Sequence, residues 1–205
     1  MSSFANAAQF AGSRPFESAS GVSANSAIVD PQGRVIGQVM TGGIIAPRRY
    51  ELAAGTILFR WGAKNAAPMD IAQREWWIEK LSFEKLLSFA NAYEISVGMA
   101  TRVLCLVPPE WSDLGTLVRA VTRRPLLAYR GLGNSVVVPM KDELGAVRLP
   151  HQNDIAARRL HQLYIPGLAG IDPISGRTEL RTDIITVERS WAMDPRAAVA
   201  GFLYL

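Results

Sequence analysis

The chain has 205 residues, 49% hydrophobic and 20% charged, with a mean hydropathy of +0.11. That composition supports a folded domain with a real core and excludes a chain too polar to collapse. A net charge of +4, carried mainly by arginine, is too mild to demand a polyanionic partner, but it keeps phosphate and carboxylate ligands open.

Residues 1–33 are rich in Ser, Ala, Asn and Gly, with isolated Phe4, Phe10 and Phe16 and no steady period, and read as a disordered arm. The phenylalanines are a means of docking that arm on a partner or on the body of the protein. A single domain is expected over 34–205. After the turn at 30–33, residues 34–40 suit a short strand, broken by Thr41-Gly42-Gly43. That glycine pair lacks both the Gly-Lys-Ser/Thr ending of a phosphate loop and the spacing of a dinucleotide fingerprint.

Thr56 to Trp61 is the clearest strand, β-branched and aromatic between Gly55 and Gly62. Alternation sets Thr56, Leu58 and Arg60 on one face, and Ile57, Phe59 and Trp61 on the other. After a polar loop, Glu75 to Lys80 predicts a second strand, with Trp76 and Ile78 opposite Trp77 and Glu79. Ser82 suits a helix N-cap, and Phe83, Leu86, Leu87 and Ala90 repeat at helical spacing behind it. Ser96 predicts the cap of a further helix running to Val107, where Pro108-Pro109 stops it.

Leu114 to Val121 reads as a helix capped by Ser112 or Asp113. Leu126 to Arg130 and Ser135 to Val138 read as a hairpin around 131–134. Residues 139–160 read as a loop excursion, Gln162 to Ile165 as a strand, 171–178 as a loop and Ile184 to Trp191 as a strand. The apolar tail 198–205 is expected to pack on the body or to meet a partner. Short strands, helices clustered in the middle third and no β-α-β alternation give an α+β fold with a twisted mixed or antiparallel sheet.

Several chemistries are excluded or left without support. The longest apolar run, Val97 to Val107, is broken by Thr101 and Arg102 and falls short of the roughly 18–20 residues that span a bilayer. There is no basic segment followed by an apolar one at the N-terminus, so a cytoplasmic protein is expected, with delivery into another cell left open. Cys105, the sole cysteine, cannot form an internal disulfide and reads as a small buried hydrophobe. The only histidines, His151 and His161, show no metal-ligand spacing, and no metal is expected. A Gly-X-Ser-X-Gly elbow is absent.

The remaining constellation is a strand ending in Arg60, a strand carrying Trp76, Trp77 and Glu79, then Ser82 and an amphipathic helix. This order resembles the opening of the ADP-ribosyltransferase-like fold, which includes the arginine–serine–glutamate transferases and the RES-type toxins that degrade NAD. The resemblance covers about 40 residues. It implies that Arg60 holds the dinucleotide and that Ser82 orders the site, although Ser82 follows its strand instead of lying on it. It also implies a downstream glutamate at the ribose, best matched by Glu188, with Glu79 and Glu179 as rivals. Trp76 or Trp77 then stacks on a base, NAD is the co-substrate, and the acceptor is water, a protein or a nucleic acid. The implied role is a bacterial toxin or effector. Two other readings stand beside it. One is a non-catalytic adaptor, inhibitor or structural component, with Arg60 paired to a structural acid and the tryptophans buried. The other is a nucleic-acid binder using Arg119, Arg123, Arg124, Arg130, Arg158 and Arg159.

Overall fold

A computed structural model of the chain describes residues 4–21, 26–141, 145–194 and 196–197. Two short helices come first, α1 (Ala7–Phe10) and α2 (Arg14–Ser20). Strands β1 (Ala27–Val29), β2 (Val35–Gln38), β3 (Met40–Thr41), β4 (Ile44–Leu52) and β5 (Ile57–Gly62) follow. Helix α3 (Pro68–Ala72) leads to β6 (Trp76–Glu79), and the two longest helices, α4 (Lys80–Ala92) and α5 (Val97–Cys105), come next. The second half is mostly strand: β7 (Thr116–Thr122), β8 (Leu126–Gly133), β9 (Val136–Pro139) and β10 (Ala146–Leu149). After a 3₁₀ turn at Ala156–Arg158 come β11 (His161–Tyr164), β12 (Ala169–Ile171), β13 (Thr178–Leu180) and β14 (Ile185–Ala192).

A seven-stranded sheet in the order β14-β7-β5-β6-β11-β8-β4 organises the molecule. Strands β10, β9 and β3 form a smaller sheet, and β1-β2 and β12-β13 are two-stranded ribbons. All of these pairings are antiparallel. The fold is therefore α+β with antiparallel sheets. The helices are not confined to the middle third, because α1 and α2 precede the first strand.

The expected alternation sorts the core into two halves. Leu58, Trp77, Val118, Ala128 and Leu163 face one cluster, completed by Ile71 of α3 and by Ile165, Leu168 and Ile184. Phe59, Ile78 and Leu117 face the other, covered by Phe83, Leu86 and Ala90 of α4 and by Val97, Ala100 and Leu104 of α5. Each valine, leucine, isoleucine or phenylalanine buried in this way stabilises the fold by about 1.5–3 kcal/mol. Helix α5 is capped as its sequence predicts, Met99 N donating to Ser96 Oγ at 3.1 Å.

The structure corrects five local expectations. Residues 114–121 contain no helix: Asp113 Oδ1 accepts from Gly115 N and Lys64 N, and Ser112 Oγ from Leu114 N. Those side chains form turns that launch β7, not a helix cap. Strands β8 and β9 are not a hairpin, since β8 pairs with β11 and β4 while β9 pairs with β10 and β3. Within the supposed loop 139–160, β10 forms, whereas the loop expected at 171–178 is the connection between β12 and β13. Helix α4 begins at Lys80, so Ser82 lies inside its first turn and caps nothing.

The fifth correction concerns the arm. Residues 4–21 are docked on the sheet. Asn6 is fully buried. Its Nδ2 donates to the carbonyls of Leu127 and Pro166, and its Oδ1 accepts from Leu127 N, each at 2.8 Å. It fills the widening beyond the last β8–β11 pair, Tyr129↔Tyr164. Phe10 stacks on Tyr129 with ring centroids 4.5 Å apart, and Phe16 meets the same ring edge-on at 5.6 Å. Four- and seven-residue helices carry too little periodicity to be read from sequence, and tertiary packing holds them. The tail 198–205 lies outside the described residues.

Candidate functional site

The site begins where the main sheet opens. Strand β5 pairs with β7 along its whole length, from Ile57↔Val121 to Gly62↔Thr116. On its other side it pairs with β6 only at Leu58↔Glu79 and Phe59↔Ile78. Beyond Phe59 the two strands part. Strand β6 continues to pair with β11 through Trp77↔Leu163 and Trp76↔Tyr164. The gap so formed is the head of a cleft of about 230 Å³.

Arg60 sits at this parting. Its Nη1 donates to the carbonyl of Trp76, a group that β5 leaves without a ladder partner. Its Nε is buried and has no hydrogen-bond partner. Among the described residues Arg60 forms no ion pair. Burial pulls the guanidinium down to about 10, opposed by the more distant charge of Glu75. That value is well above neutral, so the side chain stays cationic at pH 7. A half-buried guanidinium with a buried, unpartnered Nε and no carboxylate beside it is costly unless something anionic completes it.

Around Arg60 the walls are aromatic and amide. Trp61, Trp76 and Trp111 line the cleft, together with the C-terminal end of α5 at Cys105 and Leu106. Gly42 and Gly43 form its rim on the β3–β4 side, and Asn134 and Gln162 reach it from β8–β9 and β11. Gln162 Nε2 donates to Cys105 O at 3.2 Å, which fixes the amide against α5. Burial pushes the Cys105 thiol up to about 12, so it is no nucleophile at neutral pH. The glycines at the rim are required by close approach: a Cβ on Gly43, at φ +87°, would lie 2.5 Å from the backbone of Ser20 and Gly21. Helix α2 therefore buttresses the rim.

The expected site residues divide. Arg60, Trp76 and Trp77 meet at the cleft. Trp77, however, is only 2% exposed in the core, with its indole N–H donated to Arg74 O at 2.8 Å, so it supports the floor from beneath. Trp76, packed edge-on against Tyr164, is the more available of the pair. Ser82 does not reach the cleft: its hydroxyl donates to His161 O at 3.0 Å, tying α4 to β11. Glu188 does not reach it either. It lies at the irregular register of edge strand β14 and pairs with Arg119. Glu79 holds Arg130 and Tyr50, both at 3.1 Å, and Glu179 is exposed on β13. Among the described residues no carboxylate lines the cleft and no His/Cys/Asp/Glu cluster suited to a metal occurs.

Sequence reading missed Gly42, Gly43, Trp111, Asn134 and Gln162. The glycines and Trp111 were visible only as turn residues, and neither amide carries any local signal of a site. No helix among the described residues is long and apolar enough to cross a membrane. No protein-family description, curated protein or solved structure matches the chain.

Proposed function

We propose that this protein binds a nucleotide in the β5–β6 cleft, with NAD as the ligand its walls suit. The observation that carries this reading is Arg60, cationic, half-buried, with its Nε unpartnered and no ion pair among the described residues, lining a cleft that indoles also line. The guanidinium offers charge-assisted hydrogen bonds to a phosphate, and the indoles offer flat faces to a heterocycle. An inorganic anion satisfies only the first of these features, and an apolar ligand only the second.

An NAD-hydrolysing or ADP-ribosyl-transferring toxin is the enzymatic form of the reading, with Arg60 holding the pyrophosphate. Cleavage of the nicotinamide–ribose bond develops positive charge on the ribose, which a carboxylate would stabilise. The positions of Ser82 and Glu188 favour a second, non-catalytic form, in which the protein binds the nucleotide or a like-shaped group of a partner without cleaving it. Nucleic-acid binding is the least favoured reading. Arg119, Arg124 and Arg130 pair with Glu188, Asp183 and Glu79, and Arg159 donates to Asn153 O, so these four are not free cations waiting for phosphates.

Release of nicotinamide from NAD by the purified protein, beside Arg60→Ala and Glu188→Ala, separates these forms. Turnover lost in Arg60→Ala supports the enzyme. Saturable binding without turnover supports the binding module. Neither binding nor turnover overturns the proposal.

A further inference from the structure

The cleft is small for the ligand proposed. Sites that bury a drug-sized molecule run to about 300–1,000 Å³. At about 230 Å³ this one falls below that range, and a whole dinucleotide would extend beyond the cleft. The second heterocycle of a dinucleotide must then lie at the mouth.

Trp111 stands there. It lines the cleft yet is 49% exposed, and no ring or cation packs on its indole among the described residues. An exposed tryptophan on a loop is ordinarily free to move, but this loop is held at several points. Arg102, on the last turns of α5, donates Nη1 to Val107 O and Nη2 to Ser112 O, both at 3.1 Å, so one guanidinium clamps both ends of the loop. Pro108 and Pro109 stiffen the span between them. Leu106 and Leu114, each at φ +58°, bracket it in left-handed backbone that leucine seldom adopts, and both are buried against the cleft. Unusual backbone of this kind persists where the surroundings enforce it, commonly at ligand clamps. Trp111 N donates to Pro108 O at 3.1 Å, which closes the turn carrying the indole.

Resting on the nucleotide reading above, we infer that Trp111 is the stacking platform for the second base of a dinucleotide, and that Arg102 is the residue that positions it. The cleft and the platform together select dinucleotides over mononucleotides. Trp111 adds affinity only for the half that the cleft leaves outside.

The test is titration of NAD, nicotinamide mononucleotide and AMP into the full chain and into Trp111→Ala, Trp111→Phe and Arg102→Lys, with folding checked by circular dichroism. Wild type should bind NAD more tightly than either mononucleotide. Trp111→Ala should weaken NAD about tenfold or more, the range expected for one base–aromatic stack, and leave the better mononucleotide within twofold. Trp111→Phe should keep most of the NAD affinity. Arg102→Lys, which cannot span both carbonyls, should reproduce the alanine pattern. Equal weakening of NAD and the mononucleotide in Trp111→Ala would overturn the inference by placing Trp111 in the inner site. Unchanged NAD affinity would overturn it while leaving the nucleotide reading intact. Failure of wild type to bind any of the three would remove both.

Discussion

Asn6→Ala tests whether the N-terminal segment belongs to the fold. The side chain makes three buried hydrogen bonds of 2.8 Å to main-chain groups of Leu127 and Pro166, 121 and 160 residues away in sequence. A buried hydrogen bond contributes about 1 kcal/mol net, so the three together are worth about 3 kcal/mol. The orphaned carbonyls and N–H group would remain in a site shielded from water, which keeps the estimate from falling much lower. With a urea slope of about 2 kcal/mol/M, the unfolding midpoint should drop by about 1.5 M. Phe16→Ala is the internal comparison: Phe16 is partly exposed and meets Tyr129 only by its edge, so a loss nearer 1 kcal/mol is expected. If Asn6→Ala unfolds at the wild-type midpoint, the docked segment is wrong and the expected arm is right.

Other outcomes follow from the same geometry. Gly43→Ala should cost about 2 kcal/mol or more, since the added methyl meets the backbone of α2, whereas Gly33→Ala, also at positive φ but in open space, should cost about 1 kcal/mol; thermal melts of the two variants check the order. Breaking the Arg119–Glu188 pair with Glu188→Ala should change stability by about 1 kcal/mol or less, because both groups are partly exposed, and should leave nucleotide affinity unchanged. Cys105, partly accessible on the cleft wall, should react with thiol reagents at pH 8 much more slowly in the native state than in the unfolded chain. Its thiol is raised above the ordinary value near 9 to about 12. The unfolded chain therefore ionises first. Its contribution to stability is complete below pH 9 and is lost as pH rises from there toward 12. Cys105→Ser should flatten the alkaline limb of a stability-against-pH profile.

Much of the molecule could be read from residues close together in sequence. The strand at Thr56–Trp61, the split of Trp76 from Trp77 across the sheet, and the Ser96 cap all depend on neighbours a few positions apart. The errors fall where distant groups decide. Asp113 looked like a helix cap, but Lys64 N competes for its carboxylate across 49 residues. Ser82 stood before an amphipathic run, yet the helix starts earlier and its hydroxyl serves a carbonyl on β11. Residues 131–134 looked like the turn of a hairpin, but after them the chain crosses to a different sheet. The candidate site divides in the same way. Arg60 and Trp76 stood out because a strand exit and an aromatic strand are local features. Trp111, Gln162 and the Gly42–Gly43 rim join them only because β5 and β6 part, and no spacing in the sequence encodes that parting. Glu188 was chosen by resemblance alone, and the fold places it on an edge strand against Arg119.

The most direct measurement is calorimetric titration of NAD into wild type and Arg60→Gln, a variant that loses the charge and keeps a polar side chain. One saturable site is expected in wild type and a loss of tenfold or more in affinity in the variant, with a cooperative melt showing that the variant is folded. Equal affinity in the two proteins, or no binding to wild type, would contradict the claim that the half-buried guanidinium awaits an anionic nucleotide.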